Sequence, residues 1–125
     1  MAFFTAFLGT AFLARNHRTL HVAGCIRTGL VCNLSPVLWT WTFLTRLNLY
    51  NNSLTRLSPE VARLQRLTYL EVSANKLREL PPQLGDIPAL TVLQANNNLL
   101  NEIPWELGRL FKLQSIGRGS SSFRL

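Results

Sequence analysis

The side chains in this sequence with metal-ligand chemistry gather near the amino terminus: His17, His21, Cys25 and Cys32. A His-x₃-His spacing sets two imidazoles on one face of a helix, which is how a zinc site can begin. Their order and intervals match no common zinc knuckle, and Leu20-His21-Val22-Ala23-Gly24-Cys25-Ile26 alternates as a capping strand would. Cys25 and Cys32 could close a small disulfide in an oxidising compartment and would be small apolar residues in a reducing one. Glu102 and Glu106, four apart, are the nearest approach to an acid–base pair, but they flank an Ile103-Pro104 turn and read as a solvated edge. No glycine-rich phosphate loop is present, nor a serine or cysteine nucleophile with a nearby histidine. The expectation is a chain without catalysis, metal or cofactor.

The chemistry left is recognition, and the elements that would position it repeat. Leu44, Leu67, Leu90 and Leu113 stand 23 residues apart. The first full repeat carries Leu44, Leu47, Leu49, Asn52, Leu54, Leu57, Val61 and Leu64. The second carries Leu67, Leu70, Val72, Asn75, Leu77, Leu80, Leu84 and Ile87, and the third Leu90, Leu93, Ala95, Asn98, Leu100, Ile103, Leu107 and Leu110. Leu34, Leu38 and Trp41 form a partial repeat before them, and Leu113 and Ile116 a stub after. This is the leucine-rich-repeat pattern, so the fold class is α/β: a right-handed horseshoe solenoid of three full repeats with partial ends.

Within a repeat, alternation assigns roles. Leu47 and Leu49 point to one face of a short strand and build the shared core, while the side chains between them point to the concave face. The concave columns are therefore Arg46, Tyr69 and Val92; Asn48, Glu71 and Gln94; and Tyr50, Ser73 and Asn96. These nine are the candidate partner-binding residues, with Arg46, Tyr50 and Tyr69 foremost, because tyrosine and arginine are the enriched anchors of interfaces. Asn52, Asn75 and Asn98 follow the strands where the chain turns inward, and read as structural: a buried amide supplies both donors and acceptors to backbone groups that have lost sheet partners. Val61 and Leu64, three apart behind Pro59, predict a short helical or 3₁₀ turn on the convex side, with Gly85 and Gly108 interrupting any longer helix.

The formal charge of +7 invites a nucleic-acid reading, but its distribution argues against one. Residues 1–33 hold Arg15, Arg18 and Arg27 with no acid, residues 117–125 add Arg118 and Arg124, and the repeats between carry eight basic against six acidic residues. A phosphate-binding domain carries a basic stripe on its folded face, which the repeats do not show. RNA binding through the tails is the remaining form of that idea, and it predicts steep salt dependence. Residues 1–14 are apolar up to Arg15, too short for the roughly 20 residues a membrane span needs. As a secretory signal the stretch lacks a basic start, and as a mitochondrial presequence it is poor in serine. Were the chain secreted, Asn51-Asn52-Ser53 would be a glycosylation acceptor.

The third repeat and its neighbours resemble a particular family. Asn96-Asn97-Asn98-Leu99-Leu100 followed by Ile103-Pro104-Trp105-Glu106-Leu107-Gly108-Arg109-Leu110-Phe111-Lys112-Leu113-Gln114 is similar to the leucine-rich-repeat segment of the catabolite-repressor-type poly(A) deadenylases, catalytic subunits of the NOT complex. Leu38-Trp39 before Leu44-Thr45, Ser73-Ala74-Asn75-Lys76-Leu77-Arg78, and Leu20 to Arg27 agree with it, with Gly29 to Asn33 as an insertion. The resemblance implies a segment that docks the second deadenylase subunit in messenger-RNA decay. The family's metal-binding carboxylates and catalytic histidine have no counterpart here, so no nuclease residue carries over. The expected organisation is a leader or disordered segment at 1–19, repeats at 20–116 and a disordered tail at 117–125. The expected function is a protein-binding module in the cytoplasm, with the nucleus as a further site, and a secreted or mitochondrial address if residues 1–14 are a targeting segment. A truncated deadenylase product or decoy, and an RNA-binding accessory protein acting through basic tails, are the competing readings.

Overall fold

The structure, a computed structural model, describes residues 2–4, 10–13, 18–23 and 36–117. Among them, strands β1 (Ala2–Phe4), β2 (Thr10–Leu13), β3 (Thr19–Ala23), β4 (Arg46–Asn48), β5 (Tyr69–Glu71), β6 (Val92–Gln94) and β7 (Ser115–Gly117) form one sheet in chain order. β1, β2 and β3 pair antiparallel, and every pairing from β3 to β7 is parallel. Leu47, Leu70, Leu93 and Ile116 are mutual partners, so the register advances by one sequence period per strand. The step from β3 to β4 is longer, Leu20 pairing with Leu47, which places the irregular stretch before the first full repeat.

The return path of each repeat is a five-residue 3₁₀ segment: η1 (Pro36–Thr40), η2 (Pro59–Arg63), η3 (Pro82–Asp86) and η4 (Trp105–Arg109). Proline suits the first turn because its missing N–H would have no intrahelical acceptor there. Ser58 caps η2, its hydroxyl accepting from the Glu60 amide at 3.1 Å. The segments end where the next core leucine must turn inward: the Leu64 amide donates to Val61 at 3.0 Å, and Leu110 to Leu107 at 3.1 Å. The short convex turns expected from the sequence are thus the ones that form.

Gly85 does something other than interrupt a helix. A Cβ built on it would lie 2.4 Å from the backbone oxygen of Glu106, so the residue is small because η4 packs directly onto η3 there. At Gly108, the same column one repeat later, nothing among the described residues lies within 4 Å.

The core runs the length of the solenoid between the sheet and the 3₁₀ layer. Leu44, Leu67 and Leu90 have no accessible surface, nor have Leu47, Leu70 and Leu93. Burying each such leucine contributes about 1.5–3 kcal/mol relative to exposure, and the repeats share that contribution because all of them belong to one continuous core. Trp39, outside the repeat's apolar columns, is buried against the same core, with Trp41 packed partly into it.

Candidate functional site

The strands are three residues long, so two side chains per strand face the concave side and a third follows in the turn. The first column forms a continuous strip. Register sets Arg46 beside Tyr69 and Tyr69 beside Val92, and the Arg46 guanidinium carbon stands 4.2 Å from the centroid of the Tyr69 ring. This cation–π contact holds two long side chains in one arrangement before any partner arrives. Tyr50 projects at the end of the first turn and is about half exposed.

The second column is turned back on its own chain. Asn48 accepts through Oδ1 from the Tyr50 amide at 2.9 Å, and Glu71 accepts through Oε1 from the Ser73 amide at 2.8 Å. Gln94 accepts through Oε1 from the Asn96 side-chain amide at 3.1 Å. Asn48 and Glu71 thus each close a turn as the strand ends by taking up the backbone amide two residues on, whereas Gln94 binds a side chain. In the third column Ser73 is buried, and its hydroxyl accepts from the Asn96 amide at 2.9 Å. Of the nine concave candidates, Arg46, Tyr50, Tyr69 and Val92 therefore present surface not already used by the turns.

Behind the strip lies a ladder of amides. Asn75 is buried, and its Oδ1 accepts from the amides of Asn52 at 3.0 Å and Leu54 at 2.9 Å, both in the preceding repeat. Its Nδ2 donates to the carbonyls of Leu49 at 2.8 Å, Val72 at 2.9 Å and Ser73 at 3.1 Å. Asn98 repeats the arrangement, accepting from Leu77 and donating to Val72, Ala95 and Asn96. Asn52 is fully buried and donates to the Tyr50 carbonyl.

Two further columns support the strip that sequence reasoning did not single out. Thr68 and Thr91 each donate a hydroxyl to the threonine carbonyl one repeat earlier, both at 2.9 Å, and Thr45 donates to Arg18. Asn51, Ala74 and Asn97, spaced by the period, all have φ between 53° and 58°, in the left-handed region where the chain reverses. The recurrence of threonine at 45, 68 and 91 was there to be read in the sequence; the left-handed column was hidden because an alanine occupies its middle position.

Glu102 and Glu106 line an open convex cleft of about 330 Å³ together with Glu79, Leu80, Pro82, Ile103, Pro104 and Trp105. Among the described residues no three His, Cys, Asp or Glu side chains are grouped to hold a metal, and no helix is long and apolar enough to cross a membrane. His17, Cys25 and Cys32 lie outside the described residues; His21 lies in β3.

The parallel sheet, the 3₁₀ backing and the asparagine ladder define a leucine-rich-repeat solenoid, a fold that works as a non-catalytic protein-interaction module. The family described as leucine rich repeat matches residues 42–100. A zebrafish (Danio rerio) protein described as CCR4-NOT transcription complex subunit 6-like is 52% identical over 37 residues, which is 30% of this chain and 7% of that protein. Among solved structures, a leucine-rich-repeat protein of Leptospira interrogans aligns with a TM-score of 0.71 at 37% identity, covering 74% of this chain and 24% of its own. The BIR2 ectodomain from Arabidopsis thaliana aligns with a TM-score of 0.64 at 26% identity, covering 70% of this chain and 48% of its own. The chain thus spans less than half of each of these relatives.

Proposed function

We propose that this chain binds a protein partner on its concave strip, as the docking segment of a messenger-RNA deadenylase subunit does, and that the partner is the second deadenylase subunit of the NOT complex. The observation that carries the reading is the stacked Arg46–Tyr69 pair, flanked by Val92 in register and by the projecting Tyr50. An aromatic ring and a guanidinium held together lose little rotamer freedom on binding, which is what makes such pairs interface anchors. The zebrafish similarity, though local, supports the choice of partner. Asn48, Glu71, Ser73, Gln94 and Asn96 serve this surface indirectly, by fixing the turns that carry it. We assign the binding unit to residues 20–116, with 1–19 and 117–125 as accessory ends, and its setting to the cytoplasm.

The test is capture of the purified second subunit by the chain. Tyr69→Ala combined with Arg46→Glu should lower affinity by about 2–4 kcal/mol, enough to abolish capture, with the unfolding transition unchanged. Undiminished capture by the doubly substituted chain refutes the reading.

A further inference from the structure

Of the six acidic residues, Glu60 and Asp86 are bridged to arginines and Glu71 is taken up by the Ser73 amide. The other three, Glu79, Glu102 and Glu106, have no ion pair or hydrogen bond at their carboxylates among the described residues, and all three line the convex cleft of about 330 Å³. In a chain with 13 basic residues, carboxylates left without a cation inside one cleft are placed for a cation from outside.

The walls suit a basic side chain rather than a bare ion. Leu80, Ile103, Pro82 and Pro104 offer apolar surface to an aliphatic stem, and the Trp105 ring offers a face to the charged head. The Arg109 guanidinium carbon stands 5.0 Å from the centroid of that ring and is bridged to Asp86 at 3.6 Å, which holds the ring in place. The prolines lack the N–H that an anionic ligand would need. A second cleft, of about 260 Å³, adjoins the first through Glu79, Leu80 and Pro82 and carries the channel on to Arg56. Gln83 lines it, and the Gln83 Oε1 is buried with no hydrogen-bond donor among the described residues, a condition that a donor entering beside it would relieve. Both clefts are walled by successive repeats, with the middle repeat common to the two.

We propose that the two clefts are one groove that binds an extended basic segment of a protein. An arginine or lysine side chain lies between Glu79, Glu102 and Glu106, and the segment's backbone runs past Gln83 with an N–H to donate. Arg56 repels a cation at its own end and so fixes which end receives the basic side chain. The groove lies on the return side of the repeats and the concave strip on the sheet, so the inference stands apart from the function proposed above.

Fluorescence anisotropy of a labelled octapeptide of alternating arginine and alanine tests it, at about 0.15 M salt, where attraction between distant exposed charges is largely screened. The peptide should bind saturably. Glu79→Gln with Glu102→Gln should weaken binding by about tenfold or more, and Trp105→Ala by about fivefold or more, with the denaturation midpoint unmoved. Glu60→Gln with Glu71→Gln makes the same change of net charge outside the groove and should leave the affinity as it was, as should the paired substitution at Arg46 and Tyr69. Equal loss from the two glutamine pairs would mean diffuse attraction only and overturns the proposal. Absence of binding overturns it too, as does equal binding of an octapeptide of alternating glutamate and alanine. If Trp105→Ala disturbs folding, the Glu79 and Glu102 pair decides, since both side chains are exposed.

Discussion

At the scale of single residues, the turn after each strand asks two different things of adjacent positions. The first must accept a left-handed backbone and the second must supply an amide to groups that have left the sheet. Asn51 and Asn97 meet the first demand at low cost, while Ala74, with φ of 57°, meets it against the steric preference of its Cβ. Ala74→Asn should therefore stabilise the chain by about 0.5–1 kcal/mol, seen as a higher urea midpoint with unchanged slope. No gain would show that the neighbouring repeats already absorb the strain. The second demand was legible from the sequence because asparagine recurs at the period. The concave polar residues were legible only in part: alternation sets Glu71 and Asn48 opposite the core face, but it does not register that a strand of three residues ends almost at once. The amide two positions on then claims their carboxylate and carboxamide oxygens.

At the scale of elements, periodicity gave strands, register and short convex turns because each follows from where leucine must be buried. It did not give the reason for glycine at 85. Small size there answers to a through-space contact with a residue in the next repeat, and no local pattern carries that information. Gly85→Ala should cost about 1–3 kcal/mol, since the obstructing atom is a backbone oxygen that cannot rotate away. Gly108→Ala should be neutral or stabilising by up to about 1 kcal/mol, through the lower entropy of the unfolded chain. Thermal or urea denaturation of the two variants side by side distinguishes this from a general intolerance of alanine in 3₁₀ segments, which would make both costly.

At the scale of the whole molecule, a solenoid of stacked repeats has a stability that is a sum over neighbours. β5 has parallel neighbours on both sides, whereas among the described strands β7 pairs with β6 alone. In dilute protein, hydrogen exchange at Leu70 should proceed only by global unfolding, and protection should decline towards Ile116. Equal protection at the two positions would mean that the last repeat is held as firmly as the middle one. The acidic residues follow the same global plan. Glu60, Asp86 and Glu106 lie in the 3₁₀ return segments and Glu79 and Glu102 in the stretches that lead into them, with Glu60 and Asp86 bridged to Arg63 and Arg109, which leaves Glu71 as the acid of the concave strands.

The asparagine ladder also has a direction. Asn75 receives the amides of the repeat before it, and Asn98 receives Leu77 in the same sense. A turn is completed by residues that lie one period further along the chain, so during synthesis each turn waits for its successor to leave the ribosome. At about 5–20 residues per second that wait is on the order of seconds. The growing end of the nascent solenoid is accordingly always one repeat behind in its hydrogen bonding, and it is there, not at the finished amino-terminal side, that a chaperone would find backbone to hold.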